Sequence, residues 1–164
     1  MLQIEITRDS SLKIESGSLC RVLNLPMVEN YGSILDSEIQ EDGDLSDFYL
    51  VSRHKLPVGL KVSHSKVVLL GMYSYVDNSE LDNKYLFCLR QELEDPSFLR
   101  YAAFRISCIG KYLRYYKNDS NLVEKLSLTS IWSSHVELLR GVFENYLVGD
   151  YVPPFSKSNE VTQN

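Results

Sequence analysis

The sequence predicts an α+β fold: an N-terminal antiparallel β-sheet or small barrel, followed by two long C-terminal helices. Three observations predict it. Period-two alternation and β-branched or aromatic runs recur from residue 1 to about 94. The dipeptide Asp95-Pro96 joins a good N-cap to the residue favoured at the first helical position. Beyond it, apolar residues return at helical spacing as far as Leu147.

The elements follow in order. Leu2, Ile4 and Ile6 alternate with Gln3, Glu5 and Thr7; Asp9-Ser10-Ser11 is a turn, and Leu12 and Ile14 resume the alternation, so residues 1–15 read as a hairpin. Ser18 to Leu25 reads as a third strand ended by Pro26. Asn30 to Asp47 reads as a long acidic loop with one short element around Ile34-Leu35. Strands are expected over Phe48–Ser52, Val58–Val62, Lys66–Val76 and Tyr85–Leu93, with Gly71 marking a bulge. The first helix should run from Asp95-Pro96 to Lys117, where Asn118-Asp119-Ser120 breaks it. Asn121 to Leu126 is expected as a helical turn. The second helix should span Ser130 to Leu147, with Gly149 beyond its end. One domain over 1–154, strand-rich over 1–94 and helical over 95–149, is followed by a polar tail at 155–164.

Composition narrows the class. The 164 residues are 44% hydrophobic and 24% charged, the balance of a globular chain rather than a disordered one. Cys20, Cys88 and Cys108 stand apart among apolar neighbours, as free core thiols in a reducing compartment do. The N-terminus lacks a basic region followed by an apolar run, and no apolar stretch approaches a membrane span. These features point to an intracellular chain, nuclear or cytoplasmic, without membrane attachment. The net charge of −5 argues against a uniformly nucleic-acid-attracting surface. The charge is arranged in blocks: acidic from Glu29 to Asp47, basic from Arg53 to Lys66, acidic from Asp77 to Asp95, and basic from Arg100 to Lys117.

No phosphate-binding glycine loop, C-x-x-C pair, H-E-x-x-H or G-x-S-x-G occurs. The acidic loop 36–47 offers oxygen ligands but lacks the alternation of a calcium-binding hand. His54 and His64 lie in polar loops, and His135 falls on the apolar stripe of the second helix. No catalytic, metal or cofactor residue is therefore assigned.

The first helix is the unusual surface. Its apolar arc is about 200° wide, with Arg100, Ser107, Lys111 and Arg114 on the remaining face. Arg105 falls inside the arc and must meet a carboxylate. This reads as a non-catalytic protein-binding subunit of a larger hetero-oligomeric complex, contacting partners through Arg100, Arg105, Lys111, Arg114 and Tyr116. Interleaved tyrosines and basic residues make a small β-barrel nucleic-acid-binding module the alternative. An enzyme with a dispersed site is the third reading.

Overall fold

The computed structural model describes residues 3–8, 29–35, 37, 39, 43–77, 80–117, 123–139 and 147–148. Its strands are β1 (Gln3–Arg8), β2 (Asn30–Ile34), β3 (Asp47–Val51), β4 (Lys61–Ser63), β5 (Val67–Asp77), β6 (Glu80–Leu89), β7 (Val123–Leu128) and β8 (Leu147–Val148); helix α1 spans Phe98–Lys117. All eight strands join one sheet in the order β4-β1-β2-β3-β6-β5-β7-β8. The sheet is mixed: β3 runs parallel to β6 and β7 parallel to β8, while the other pairs are antiparallel.

Alternation along the strands feeds two cores, one on each face. Tyr49, Val51, Tyr73, Tyr75, Leu86, Cys88, Leu126 and Leu128 pack against Phe98, Ala102, Ile106, Ile109 and Leu113 of α1. Phe48, Leu50, Tyr85 and Phe87 face the other way and cluster with Ile34, Val62 and Val67. Val62 belongs to the edge strand β4 and Val67 to β5, with four strands between them, so the sheet curls until its two sides share one core.

The expected antiparallel sheet or small barrel with two long C-terminal helices is corrected on both counts: the front half forms strands, but β3 lies parallel to β6 in a mixed sheet, and the helical back half differs too. Among the described residues there is one long helix. Residues 123–128, of which 123–126 were expected in a helical turn, form β7 on the edge of β5. Its Leu126 and Leu128 are buried while Lys125 is exposed, a period-two pattern that tertiary pairing favours over helix. Where the second helix was expected there are short 3-10 turns at Ser130–Trp132 and Val136–Leu138, and residues 140–146 lie outside the described residues. Trp132 is the reason the chain turns early: its ring is buried and its indole N–H donates to Leu70 O at 3.0 Å. The expected strand at 18–25, the partner strand at 12–14 and the tail at 155–164 also lie outside the described residues. Asn30 to Ile34, read as loop, is a full strand.

Helix α1 starts at Phe98, two residues after the Pro96 that Asp95-Pro96 suggests as its first residue. The Asp95 carboxylate accepts hydrogen bonds from Ser97 N–H and Ser97 Oγ, both at 2.9 Å, and orders the approach to the helix. Two glycines record close approaches. Gly110 faces Tyr73, whose hydroxyl donates to Ile106 O at 2.9 Å and would lie 2.5 Å from an added Cβ. Gly71 sits where the β5–β6 register shifts, the expected bulge, and its missing Cβ leaves room for Ser127 O of β7.

Gly71→Ala should therefore destabilise the fold by about 1–3 kcal/mol, since the new Cβ would sit 2.6 Å from a strand carbonyl that has little freedom to move. Urea denaturation measures this; an unchanged midpoint would mean that β7 does not pack on β5 as described.

Candidate functional site

Where the β3–β6 pairing begins, on the face that carries the helix-side core, a lysine is buried among acids. The parallel pairing of β3 with β6 sets Asp47 directly beside Lys84, and the antiparallel pairing of β5 with β6 sets Tyr73 on its other side. Asp82 precedes Lys84 by two residues and so shares its face. The Lys84 ammonium contacts Asp47 Oδ2 at 2.5 Å and Asp82 Oδ1 at 3.0 Å. It also donates to the Tyr31 hydroxyl at 3.3 Å and lies 5.7 Å from the centre of that ring. The Tyr31 hydroxyl donates in turn to Asp47 Oδ2 at 2.5 Å.

Each member is held by its element. Tyr31 stands on β2 with its ring edge-on to Tyr49, the centroids 5.0 Å apart. Asp47 opens β3, directly after a segment pinned to β2: Ile34 N–H donates to Ser46 O, and Ser46 N–H donates to Ser37 Oγ. The pinned segment begins at Gly43, whose φ of +86° is a left-handed turn conformation that suits glycine. Asp44, exposed, lies three residues before Asp47.

The Lys84 side chain is only 10% exposed, against 27% for Asp47 and 20% for Asp82. Burial works to discharge the ammonium, but the attraction of Asp47 and then of Asp82 outweighs it and raises the Lys84 pKa. The site thus keeps a fixed positive charge between two carboxylates and a tyrosine hydroxyl. Lys84 and Tyr31 offer donors of the kind an anion needs, and Asp47 and Asp82 offer oxygens of the kind a hard cation needs. Among the described residues, no three His, Cys, Asp or Glu side chains converge as a preformed metal site. Asp42 and the side chain of Asp77 lie outside the described residues.

The residues expected to carry contacts do not gather here. Arg100 and Lys111 are exposed along α1, and the side chains of Arg114 and Tyr116 lie outside the described residues. Arg105 finds its carboxylate within the chain: its Nε donates to Glu29 Oε1. The carboxylate that Arg105 was expected to meet thus belongs to its own chain rather than to a partner. His54 and His64 are exposed. The Cys88 thiol is pushed up to about 12 by burial, with Glu92 adding to the effect and Arg90 opposing it, so it stays protonated and unreactive.

Sequence reasoning passed over Tyr31, Asp47, Asp82 and Lys84. A signal existed: Asp82 and Lys84 continue the buried alternation of Leu86 and Cys88, so opposite charges occupy the core face of a strand. Reading the strand as starting at Tyr85 placed both in a solvated acidic block.

No family model matches the chain, and no curated protein does. Solved structures do. The fold is similar to a type I inorganic pyrophosphatase from Toxoplasma gondii (TM-score 0.53, 20% identity, covering 76% of this chain and 68% of that one). An inorganic phosphatase from Anaplasma phagocytophilum matches with TM-score 0.53 and 18% identity, over 84% of this chain and 88% of that one. A type I inorganic pyrophosphatase from P. falciparum matches with TM-score 0.54 and 18% identity, over 76% of this chain but 51% of that one. At these identities the likeness establishes the fold. The solved chains that share it are named as enzymes, a finding that stands against the expectation of a non-catalytic protein-binding subunit. Among the described residues, no helix is long and apolar enough to cross a membrane.

Glu29 yields a pH test of the structure. Burial pushes its carboxyl from an ordinary 4.5 up to about 7, against the pull of Arg105. The folded chain therefore holds a proton that the unfolded chain has released, and this contribution to stability, full below pH 4.5, is lost as the pH rises to about 7. Urea denaturation across that window should show a flatter profile for Glu29→Gln than for the parent chain. Parallel profiles would contradict the buried placement of Glu29.

Proposed function

We propose that the chain is a hydrolase of a phosphoanhydride, with inorganic pyrophosphate as the candidate substrate. The observation that carries this reading is the Lys84 cluster: a buried ammonium, a tyrosine hydroxyl and two carboxylates on strands of a sheet whose solved counterparts include inorganic pyrophosphatases. Phosphoryl transfer asks little covalent chemistry of a protein; positioning and charge stabilisation supply most of the rate.

The residues suit those tasks. Lys84 offers its ammonium to a phosphoryl oxygen, and its raised pKa keeps that charge through neutral pH. Tyr31 offers a hydroxyl that can turn from Asp47 to the same anion. Acids and a polyanion would repel one another, so Asp47 and Asp82 are the residues that would hold a hard divalent cation between them and the substrate. Such a cation, when bound, supplies charge neutralisation and a more acidic water. Both contacts to Asp47 fall on Oδ2, so Oδ1 is engaged by neither Lys84 nor Tyr31. It can accept a proton or a ligand bond without breaking the Lys84 pair. The buried walls on either side, Tyr49 and Tyr73, are anchored in the core and keep the cluster from collapsing.

The purified chain, given pyrophosphate and magnesium, should release orthophosphate with turnover. Asp47→Asn and Lys84→Met should each lower kcat by roughly 100-fold or more, and Tyr31→Phe by about tenfold. Absence of phosphate release by the parent chain with magnesium, manganese, cobalt or zinc would overturn the reading.

A further inference from the structure

A second ionic contact lies outside the Lys84 cluster but on the same stretch of chain. Glu29 directly precedes β2 and is 1% exposed. Its carboxylate is bonded by Arg105 Nε of α1 and by the backbone N–H of Ser52 beyond β3. The next residue, Asn30, donates from Nδ2 to Leu50 O at 3.3 Å and His54 O at 3.2 Å, and accepts at Oδ1 from Leu56 N–H at 3.1 Å. The residue after that is Tyr31, whose hydroxyl meets Asp47 and Lys84. Three consecutive side chains thus fasten one segment to the helix, to the turn after β3 and to the candidate site.

A buried ion pair contributes little net stability over apolar packing, because desolvation offsets most of the attraction. What it does impose is direction. Asn30 can fix the segment along the sheet, but Arg105 is the bond that holds it at a set height against α1. Tyr31 packs into the core beneath that helix, so its reach toward Asp47 depends on this height.

We propose that Glu29 is a positioning residue for Tyr31: paired to Arg105, it seats the start of β2 against α1 and so keeps the Tyr31 hydroxyl on Asp47 and Lys84. This rests on the reading of the Lys84 cluster as a phosphoanhydride site. Burial sets the Glu29 carboxyl at about 7, so the pairing is made and unmade near neutrality. The groups facing it are Arg105 and Tyr101 from α1 and Glu92 from the 3-10 turn after β6, with Arg53 from the segment after β3 near Tyr101. Arg53 is committed to Asp95 and Ser97, and Glu92 Oε1 to Arg53 N–H, which leaves Arg105 as the cation that responds to Glu29.

The test follows the Tyr31 ring directly, in the full chain carrying tyrosine labelled with ¹³C at Cζ, with the resonance assigned through Tyr31→Phe. Between about pH 5.5 and 8.5, its chemical shift should move with a midpoint near 7 in the parent chain and lose that transition in Glu29→Gln. In parallel, kcat for pyrophosphate should fall roughly tenfold toward the acid end in the parent chain. In Glu29→Gln it should be lowered about tenfold at about pH 8 with KM little changed, and Glu29→Asp should restore part of it. Arg105→Gln is the second variant and should reproduce the Glu29→Gln behaviour if that chain folds poorly. A Tyr31 resonance that titrates identically with and without the Glu29 carboxylate would overturn the proposal. Absence of pyrophosphate turnover in the parent chain would instead sink the catalytic reading, and the resonance would still decide the positioning.

Discussion

Everything at the candidate site depends on one register: Asp47 of β3 beside Lys84 of β6, in the parallel pairing between them. A slip of either strand by one residue would turn its own charged side chain to the opposite face, where Phe48 and Tyr85 belong, and bury an unpaired charge in the second core. The hydrophobic alternation of both strands forbids that slip, since Tyr49, Val51, Leu86 and Cys88 must face the helix. Packing along the strands therefore specifies a charged pair where their parallel pairing begins. The pair in turn gives Tyr31 and Asp82 something to bond, and the four groups form one network in which the lysine remains charged despite burial.

The helix serves the same end from a distance. Tyr73, which flanks Lys84 in the sheet, donates to a helix carbonyl across the space left by Gly110. Arg53 lies 5.6 Å from the centre of the Phe98 ring and 5.4 Å from that of Tyr101, and Tyr101 donates to Ser52 O at 3.0 Å. These contacts join the end of β3 opposite Asp47 to α1. The strand that carries the catalytic candidate is thus held at both ends, as preorganisation requires.

Much of this fold could be read from local pattern, and the failures have a common cause. The long β5 run, the bulge at Gly71 and the end of α1 at Lys117 all express short-range preferences, and they were legible. β7 was not, because Val123 to Leu128 becomes a strand only by pairing with β5, far back along the chain. The partner of Arg105 is 76 residues distant, so its need for a carboxylate was legible and the identity of that carboxylate was not. The same distance hid the site. Tyr31, Asp47 and Lys84 come from three neighbouring strands, and β6 reaches the side of β3 only after β4 and β5 have intervened in the chain. A wide apolar arc on α1 suggested an unmet partner, whereas the sheet and the segment through Trp132 and Leu139 cover much of it.

The most direct test of the Lys84 cluster as a phosphoanhydride site is a crystal structure with magnesium and imidodiphosphate, a pyrophosphate analogue whose bridging nitrogen resists hydrolysis. The analogue should sit against the Lys84 ammonium and the Tyr31 hydroxyl, with Asp47 and Asp82 turned to the metal. An analogue bound away from these four residues, or Lys84 still closed on both carboxylates with the analogue present, would contradict that reading.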